Sequence, residues 1–223
     1  MSLDDLLSGK EMEKVVERNP VIEKKSVNNI MTALYAFVVI SFFITIVDII
    51  IRFPLQSEMI DYNDIQAIVI NVLALLIQIV FFAYGFVNAI RGMLSPKRMG
   101  AVIVAFFAAT CITGTGNMVI NSNVQIVLWW IVLIIPNVVG AVATFAYFVS
   151  GKKSKIYSII IYLAAIWGIF RIIYSNYNLI VHANQYLSMN STVRLVLGIA
   201  IHCLVIYQTY VLWIKRQNAI DIS

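Results

Sequence analysis

The stretch NIMTALYAFVVISFFITIVDIIIRF, residues 29–53, decides the fold. Asp48 and Arg52 are its only charged side chains. A helix that crosses the hydrocarbon core of a bilayer needs about 20 predominantly apolar residues, whereas a membrane-spanning strand needs only about 10. The stretch is therefore long enough for a transmembrane helix and too long for a membrane strand, so it predicts a helix.

Five similar apolar runs follow the first one. They lie near residues 65–93, 99–120, 124–149, 156–180 and 193–214. Each is bounded by charged residues or by Asn, Ser, Gly and Pro, which are typical of turns. We therefore predict an all-α polytopic membrane protein, a bundle of six transmembrane helices over residues 29–216. A polar leader, residues 1–28, precedes the bundle, and a short tail, residues 217–223, follows it.

The composition supports this prediction and excludes other classes. Hydrophobic residues make up 61% of the chain and charged residues 12%, and the mean hydropathy is +0.88. An ordinary soluble domain is roughly 45–50% apolar and about 25% charged. A disordered chain, a nucleic-acid-binding module and a soluble enzyme core are therefore excluded, and we expect no nucleic-acid partner.

Sequence motifs for catalysis, cofactors or metals are absent from the chain. It contains no H-E-x-x-H, G-x-S-x-G, Walker A or C-x-x-C pattern. The two cysteines, Cys111 and Cys203, lie far apart in apolar runs, where small core residues are the ordinary explanation. We expect no metal, no cofactor and no enzymatic activity.

The distribution of Lys and Arg predicts the orientation. Alternate loops are rich in these residues, namely Lys24, Lys25, Arg91, Lys97, Arg98, Lys152, Lys153, Lys155, Lys215 and Arg216. The other loops hold only Arg52 and Arg194. Because cytoplasmic loops carry an excess of Lys and Arg, we expect both termini in the cytoplasm, and we place the protein in a bacterial inner membrane.

The leader carries a weak apolar stripe that ends at Pro20. It is either a solvated cytosolic helix or a helix lying on the membrane surface or on a partner. The leader is polar and the first apolar run is too long for a signal sequence, so we expect no cleavable signal peptide.

Polar residues inside the apolar runs concentrate in the half remote from the basic loops. At about 1.5 Å per residue, Asp48 lies roughly 28 Å along helix 1 and Arg171 roughly 22 Å along helix 5. The expected ligand-binding set is Asp48, Asn71, Thr113, Asn117, Trp129, Trp130, Arg171, Arg194 and His202. The half near the basic loops is plainer, and only Asn88 stands out there. This asymmetry predicts a polar layer or pocket open to the outside.

Each charged residue of this set has more than one interpretation. Asp48 either pairs with Arg171 or Arg194, binds the amine of a ligand or couples to protons, or extends to the interface beside Arg52. Arg171 stays charged, so it needs an acceptor. That acceptor is either the carboxylate or phosphate of a ligand, or Asp48 and free backbone carbonyls.

Three other features of the runs also leave alternatives. Pro136, Asn137 and Gly140 form either a packing kink or a broken helix that lines a cavity. His202 is either a hydrogen-bonded core histidine or a proton relay. The Trp129–Trp130 pair is either an interfacial belt or a stacking platform.

Two functions fit these observations. The first is a small-molecule carrier or substrate-binding membrane subunit for an anionic or zwitterionic ligand. In size and topology alone, the chain is similar to the substrate-binding components of vitamin uptake systems of the energy-coupling type, a resemblance that implies an outward-facing site. The second is a non-catalytic scaffold or permease subunit, docking through the leader and the Ala101, Ala105 and Ala109 face. Besides the lipid bilayer, both imply a partner membrane subunit or a homo-oligomer.

Overall fold

Six α-helices and one π-helical turn are the regular elements in the part of the chain that the structure describes. A computed structural model describes residues 29–47, 62–120, 124–152, 154–177 and 189–220. The helices are α1 (Asn29–Val47), α2 (Tyr62–Ile90), α3 (Pro96–Ile120), α4 (Val124–Thr144), α5 (Lys155–Ser175) and α6 (Met189–Ile220). Helix α4 continues directly into a π-helical turn, Phe145–Val149.

The all-helical membrane architecture is confirmed. Five of the six described helices contain a segment long and apolar enough to cross a bilayer, and α4 contributes a shorter apolar stretch, Ile134–Val149. The leader and the end of the first apolar run, residues 48–53, lie outside the described residues. Helix α6 continues through Ile220, so part of the predicted tail is helical.

Helix α5 ends earlier than the apolar run predicts, at Ser175 rather than near residue 180. The backbone N–H of Asn176 donates to the Ile172 carbonyl at 3.1 Å, and its side-chain Nδ2 donates to the same oxygen at 2.8 Å. The first is the last helical bond of α5, and the second adds a side-chain donor from the C-cap residue to the same carbonyl. A local cap, which hydropathy does not register, therefore sets the end of the helix.

The helices are connected so that sequence neighbours pack together. Contacts run from α2 to α3, α3 to α4, α4 to α5 and α5 to α6, and α3 also touches α6. In the membrane-spanning window of α3, 56% of the residues are buried, against 17% in that of α2. Helix α3 is therefore the central helix, and α2 lies at the periphery.

The described residues of two loops, 91–95 and 150–152, lie at one end of the bundle, which we call the basic end. Gly92 and Gly151 have φ values of 65° and 71°, and each follows the end of a helix. This left-handed conformation is the usual way to end a helix and favours glycine. At the first loop the N–H of Met93 donates to the Asn88 carbonyl at 2.8 Å, which closes the helix end.

Aromatic side chains link the first three helices through the core. Phe82 on α2 contacts Tyr35 and Phe42 of α1, with ring centroids 6.2 and 5.7 Å away. It also meets Phe106 of α3 edge to face at 6.4 Å. Lipid is as apolar as these rings, so such specific packing, rather than escape from water, holds membrane helices together.

Close helix approach at glycine positions fixes the central packing. A Cβ placed on Gly100 of α3 would lie 2.5 Å from the Phe148 Cβ in the π turn. A Cβ on Gly140 of α4 would lie 3.0 Å from Phe107 and from Ala164. The first contact leaves no room for even one methyl group, since a Cβ cannot rotate away.

We therefore expect Gly100→Ala to destabilise the protein by about 1–3 kcal/mol, the usual cost of overpacking a tight core. Thermal unfolding in detergent micelles measures the loss. Gly92→Asn is the control, because nothing lies within 4 Å of a Cβ there and Asn tolerates its positive φ. Equal melting temperatures for Gly100→Ala and the parent would contradict the packing described here.

Candidate functional site

The structure describes only part of the predicted ligand-binding set. Asp48 lies outside the described residues. The side chains of four further members also lie outside what the structure describes: Asn117, Trp129, Trp130 and Arg194. Of the rest, Asn71 on α2 is exposed and Thr113 on α3 is half-buried. The remaining two members, Arg171 and His202, belong to neighbouring helices α5 and α6.

Arg171 and His202 belong to the same part of the α5–α6 interface. The His202 ring packs on Gly168, which lies three positions before Arg171 on α5. His202 is buried, with 3% of its surface exposed, whereas Arg171 is half-buried. Two members of the predicted set therefore lie in one region of the described bundle.

A reciprocal pair of glycines creates this interface. The His202 side chain packs on Gly168 of α5, where a Cβ would overlap the Nε2 atom. The Ile172 side chain packs in turn on Gly198 of α6, where a Cβ would lie 2.8 Å from its Cδ1. On each helix the glycine and the inserted side chain are four residues apart, so they share one face. The antiparallel pair thus interlocks at two levels.

The two ring nitrogens of His202 lie against backbone, but only one of them is hydrogen-bonded. Nδ1 lies 2.7 Å from the Gly198 carbonyl oxygen, which only accepts, so Nδ1 carries the hydrogen. In the neutral ring Nε2 then has no hydrogen, and it faces the Gly168 backbone. The ring also meets Phe106 of α3 edge to face at 5.0 Å. This geometry is that of a packed core histidine joining three helices.

The Arg171 guanidinium has no hydrogen-bond or ion-pair partner among the described residues. It lies roughly 24 Å from the start of α5 and about one turn from its end. Every carboxylate of the chain lies outside the described side chains, and Asp48 is the only one within an apolar run. Arg171 therefore needs an acceptor that the described bundle does not supply.

Most buried hydroxyls bond to their own helix. Ser41 donates to the Phe37 carbonyl at 2.8 Å, and Thr45 donates to the Ser41 carbonyl at 2.9 Å. Thr144 and Thr209 bond in the same way to the carbonyls four residues earlier. These local bonds satisfy the hydroxyls in lipid without forming a polar layer.

Helix α4 is not interrupted at the proline. The α-helical segment continues through Pro136, Asn137 and Gly140, and Asn137 is buried. The change of helix type occurs later, in the π turn Phe145–Val149 beside Gly100. Single π turns inside helices frequently mark functional sites.

Sequence reasoning missed a polar pair in the basic half of the bundle. The Gln208 Nε2 of α6 donates to the Tyr35 hydroxyl of α1, and neither side chain is exposed. Gln208 Oε1 has no hydrogen-bond partner among the described residues. Trp167 Nε1, on α5, is a second buried atom for which this part of the chain supplies no partner. The signal for the pair was present, since Gln208 is an amide inside an apolar run.

The alanine face proposed as a docking surface is used within the chain. Ala105 and Ala109 of α3 are buried at 6% and 0% exposure, while Ala101 is half-buried. These small residues let neighbouring helices approach the central one. They are therefore not a free surface for another protein.

No protein-family model, curated protein or solved structure matches the chain.

Two substitutions, alone and combined, test the interlocking of α5 and α6. We expect Gly168→Ala to lower the melting temperature, because the new methyl group displaces His202 from its bond with Gly198. Adding His202→Ala should restore part of the loss by making room, which a double-mutant cycle measures as a coupling of about 0.5–3 kcal/mol. Strictly additive effects would show that the two residues do not interact.

Proposed function

We propose that this integral membrane protein is a small-molecule carrier or substrate-binding membrane subunit that takes an anionic or zwitterionic ligand at Arg171. One observation carries the proposal: the half-buried Arg171 guanidinium has no acceptor among the described residues. An ionisable residue inside a membrane helix is costly and marks functional sites in many membrane proteins. A carboxylate or phosphate of the ligand is the acceptor in this proposal.

The surroundings of Arg171 support the assignment. Gly168 and Ile172, which flank it on α5, are both interlocked with α6. The backbone that carries the guanidinium is therefore held in place before a ligand arrives. Such preorganisation reduces the ordering cost of binding. Arginine also suits the task because its planar group forms two parallel bonds to a carboxylate or phosphate.

Orientation and assembly are part of the same proposal. Loops 91–95 and 150–154 carry basic residues, so the basic end faces the cytoplasm and the Arg171 end faces outward, in a bacterial inner membrane. The six described helices leave little room for alternating access within one copy. We therefore propose that it works with a partner membrane subunit or as a homo-oligomer.

The alternative function, a non-catalytic scaffold, loses one of its two docking surfaces. Ala105 and Ala109 are buried inside the bundle. The polar leader is the other surface and lies outside the described residues.

Native mass spectrometry of the gently purified protein tests the carrier proposal. We expect an anionic or zwitterionic small molecule to remain bound to the parent and its occupancy to fall about tenfold or more in Arg171→Leu, since a charged hydrogen bond contributes roughly 1.5–3 kcal/mol. Arg171→Lys should keep part of the binding, because the charge remains but the paired geometry is lost. Arg91→Gln, which removes an exposed arginine at the basic end, should bind as the parent does.

Asp48→Asn separates ligand binding from a structural ion pair. If Asp48 were the acceptor for Arg171, Asp48→Asn and Arg171→Leu would destabilise the protein to a similar extent, and no ligand would be lost. That result would defeat the proposal, as would a parent protein that carries no small molecule. The proposal expects both variants to melt within a few degrees of the parent.

A further inference from the structure

The Tyr35–Gln208 pair joins α1 to α6 in the half of the bundle opposite Arg171. Tyr35 lies six residues, roughly 9 Å, from the start of α1. Gln208 lies seven residues before Lys215, roughly 10 Å from the basic end. Gly85 of α2 packs directly against the Tyr35 ring, where a Cβ would overlap it. Three helices therefore meet around this one hydrogen bond.

The hydrogen bonding of the pair is incomplete whichever way the amide points. With Nε2 donating to the Tyr35 hydroxyl, Gln208 Oε1 has no partner, and the hydroxyl hydrogen has no acceptor among the described residues. With the amide turned over, the hydroxyl would donate to Oε1, and the Nε2 hydrogens would lack acceptors instead. The closed arrangement therefore always leaves one end of a buried amide unsatisfied.

Lipid favours the hydrogen bond between Tyr35 and Gln208, whereas water weakens it. If α1 moved away into lipid, both polar groups would lose their bond without compensation, while the apolar contacts would be replaced by lipid at little cost. If water entered from the basic end instead, it would satisfy the amide oxygen and the hydroxyl together. The pair therefore holds α1 against α6 while dry and releases it when hydrated.

We propose that Tyr35 and Gln208 form a water-operated clamp between α1 and α6, in which water entering from the basic end binds the unsatisfied amide and separates the helices there. The clamp lies on the side of the bundle opposite the proposed Arg171 ligand site. It does not depend on that site, and its test uses no ligand.

The test measures the access of water to Val38, a fully buried residue three positions from Tyr35 on α1. The background carries Cys111→Ala and Cys203→Ala, and Val38→Cys provides the reporter thiol. Protein in lipid nanodiscs is treated with a negatively charged methanethiosulfonate reagent, which reaches thiols only through water. Mass spectrometry then gives the labelling rate of Val38→Cys.

The clamp predicts an effect that reverses in the double variant. Tyr35→Phe leaves the whole amide unsatisfied and should raise the labelling rate about tenfold, the change that about 1.4 kcal/mol produces. Adding Gln208→Leu removes the amide, so the double variant should label no faster than the parent. Thr209→Val is the matched control, because its hydroxyl bonds to Val205 of its own helix, and it should leave the rate unchanged.

Three results would overturn the clamp. The first is a Tyr35→Phe variant that labels no faster than the parent. The second is a double variant that labels as fast as Tyr35→Phe or faster, which a role in packing alone would produce. Ala165→Cys, a buried reporter on α5, should stay protected in every variant, and its labelling would attribute the effect to general loosening instead of the clamp.

Discussion

Lipid offers no hydrogen bonds, and this constraint governs every polar side chain between the ends of the helices. A polar group in a membrane helix must find its partner within the protein or in a water-filled space. The buried hydroxyls of Ser41, Thr45 and Thr144 meet this requirement within their own helices. Burying these hydroxyls costs little free energy, and their bonds join no two helices, so they say little about function.

The polar groups that are not satisfied within their own helix alone tell more about function. His202 bonds to the Gly198 carbonyl of its own helix and also packs on Gly168, so the same side chain is hydrogen-bonded and holds α5 against α6. Gln208 bonds across helices and still keeps an unsatisfied oxygen. Arg171 has no acceptor in the described bundle at all. Within the described bundle, the hydrogen bonding of His202 is the most complete, that of Gln208 is partial, and Arg171 has none. The two functional proposals rest on Gln208 and Arg171, whose polar groups are the least satisfied.

Hydropathy predicts the helices well because the bilayer imposes one length and one composition on each of them. It predicts their ends less well, since Asn176 ends α5 through a local cap. It also cannot show which faces meet. The i, i+4 spacing placed Gly198 and His202 on one face of α6, but only the structure shows that Gly168 receives the histidine. Tyr35 and Gln208 are 173 positions apart, and no periodicity links them.

A series of aromatic contacts connects the Tyr35–Gln208 pair with the α5–α6 interface beside Arg171. Tyr35 contacts Phe82, Phe82 contacts Phe106, and Phe106 contacts His202. His202 and Gln208 lie on the same helix, α6, so the contacts form a closed path that returns to Tyr35. Continuous packing therefore links the Tyr35–Gln208 pair to the α5–α6 interface beside Arg171. An interior packed this closely leaves little room for one ring to move without its neighbours.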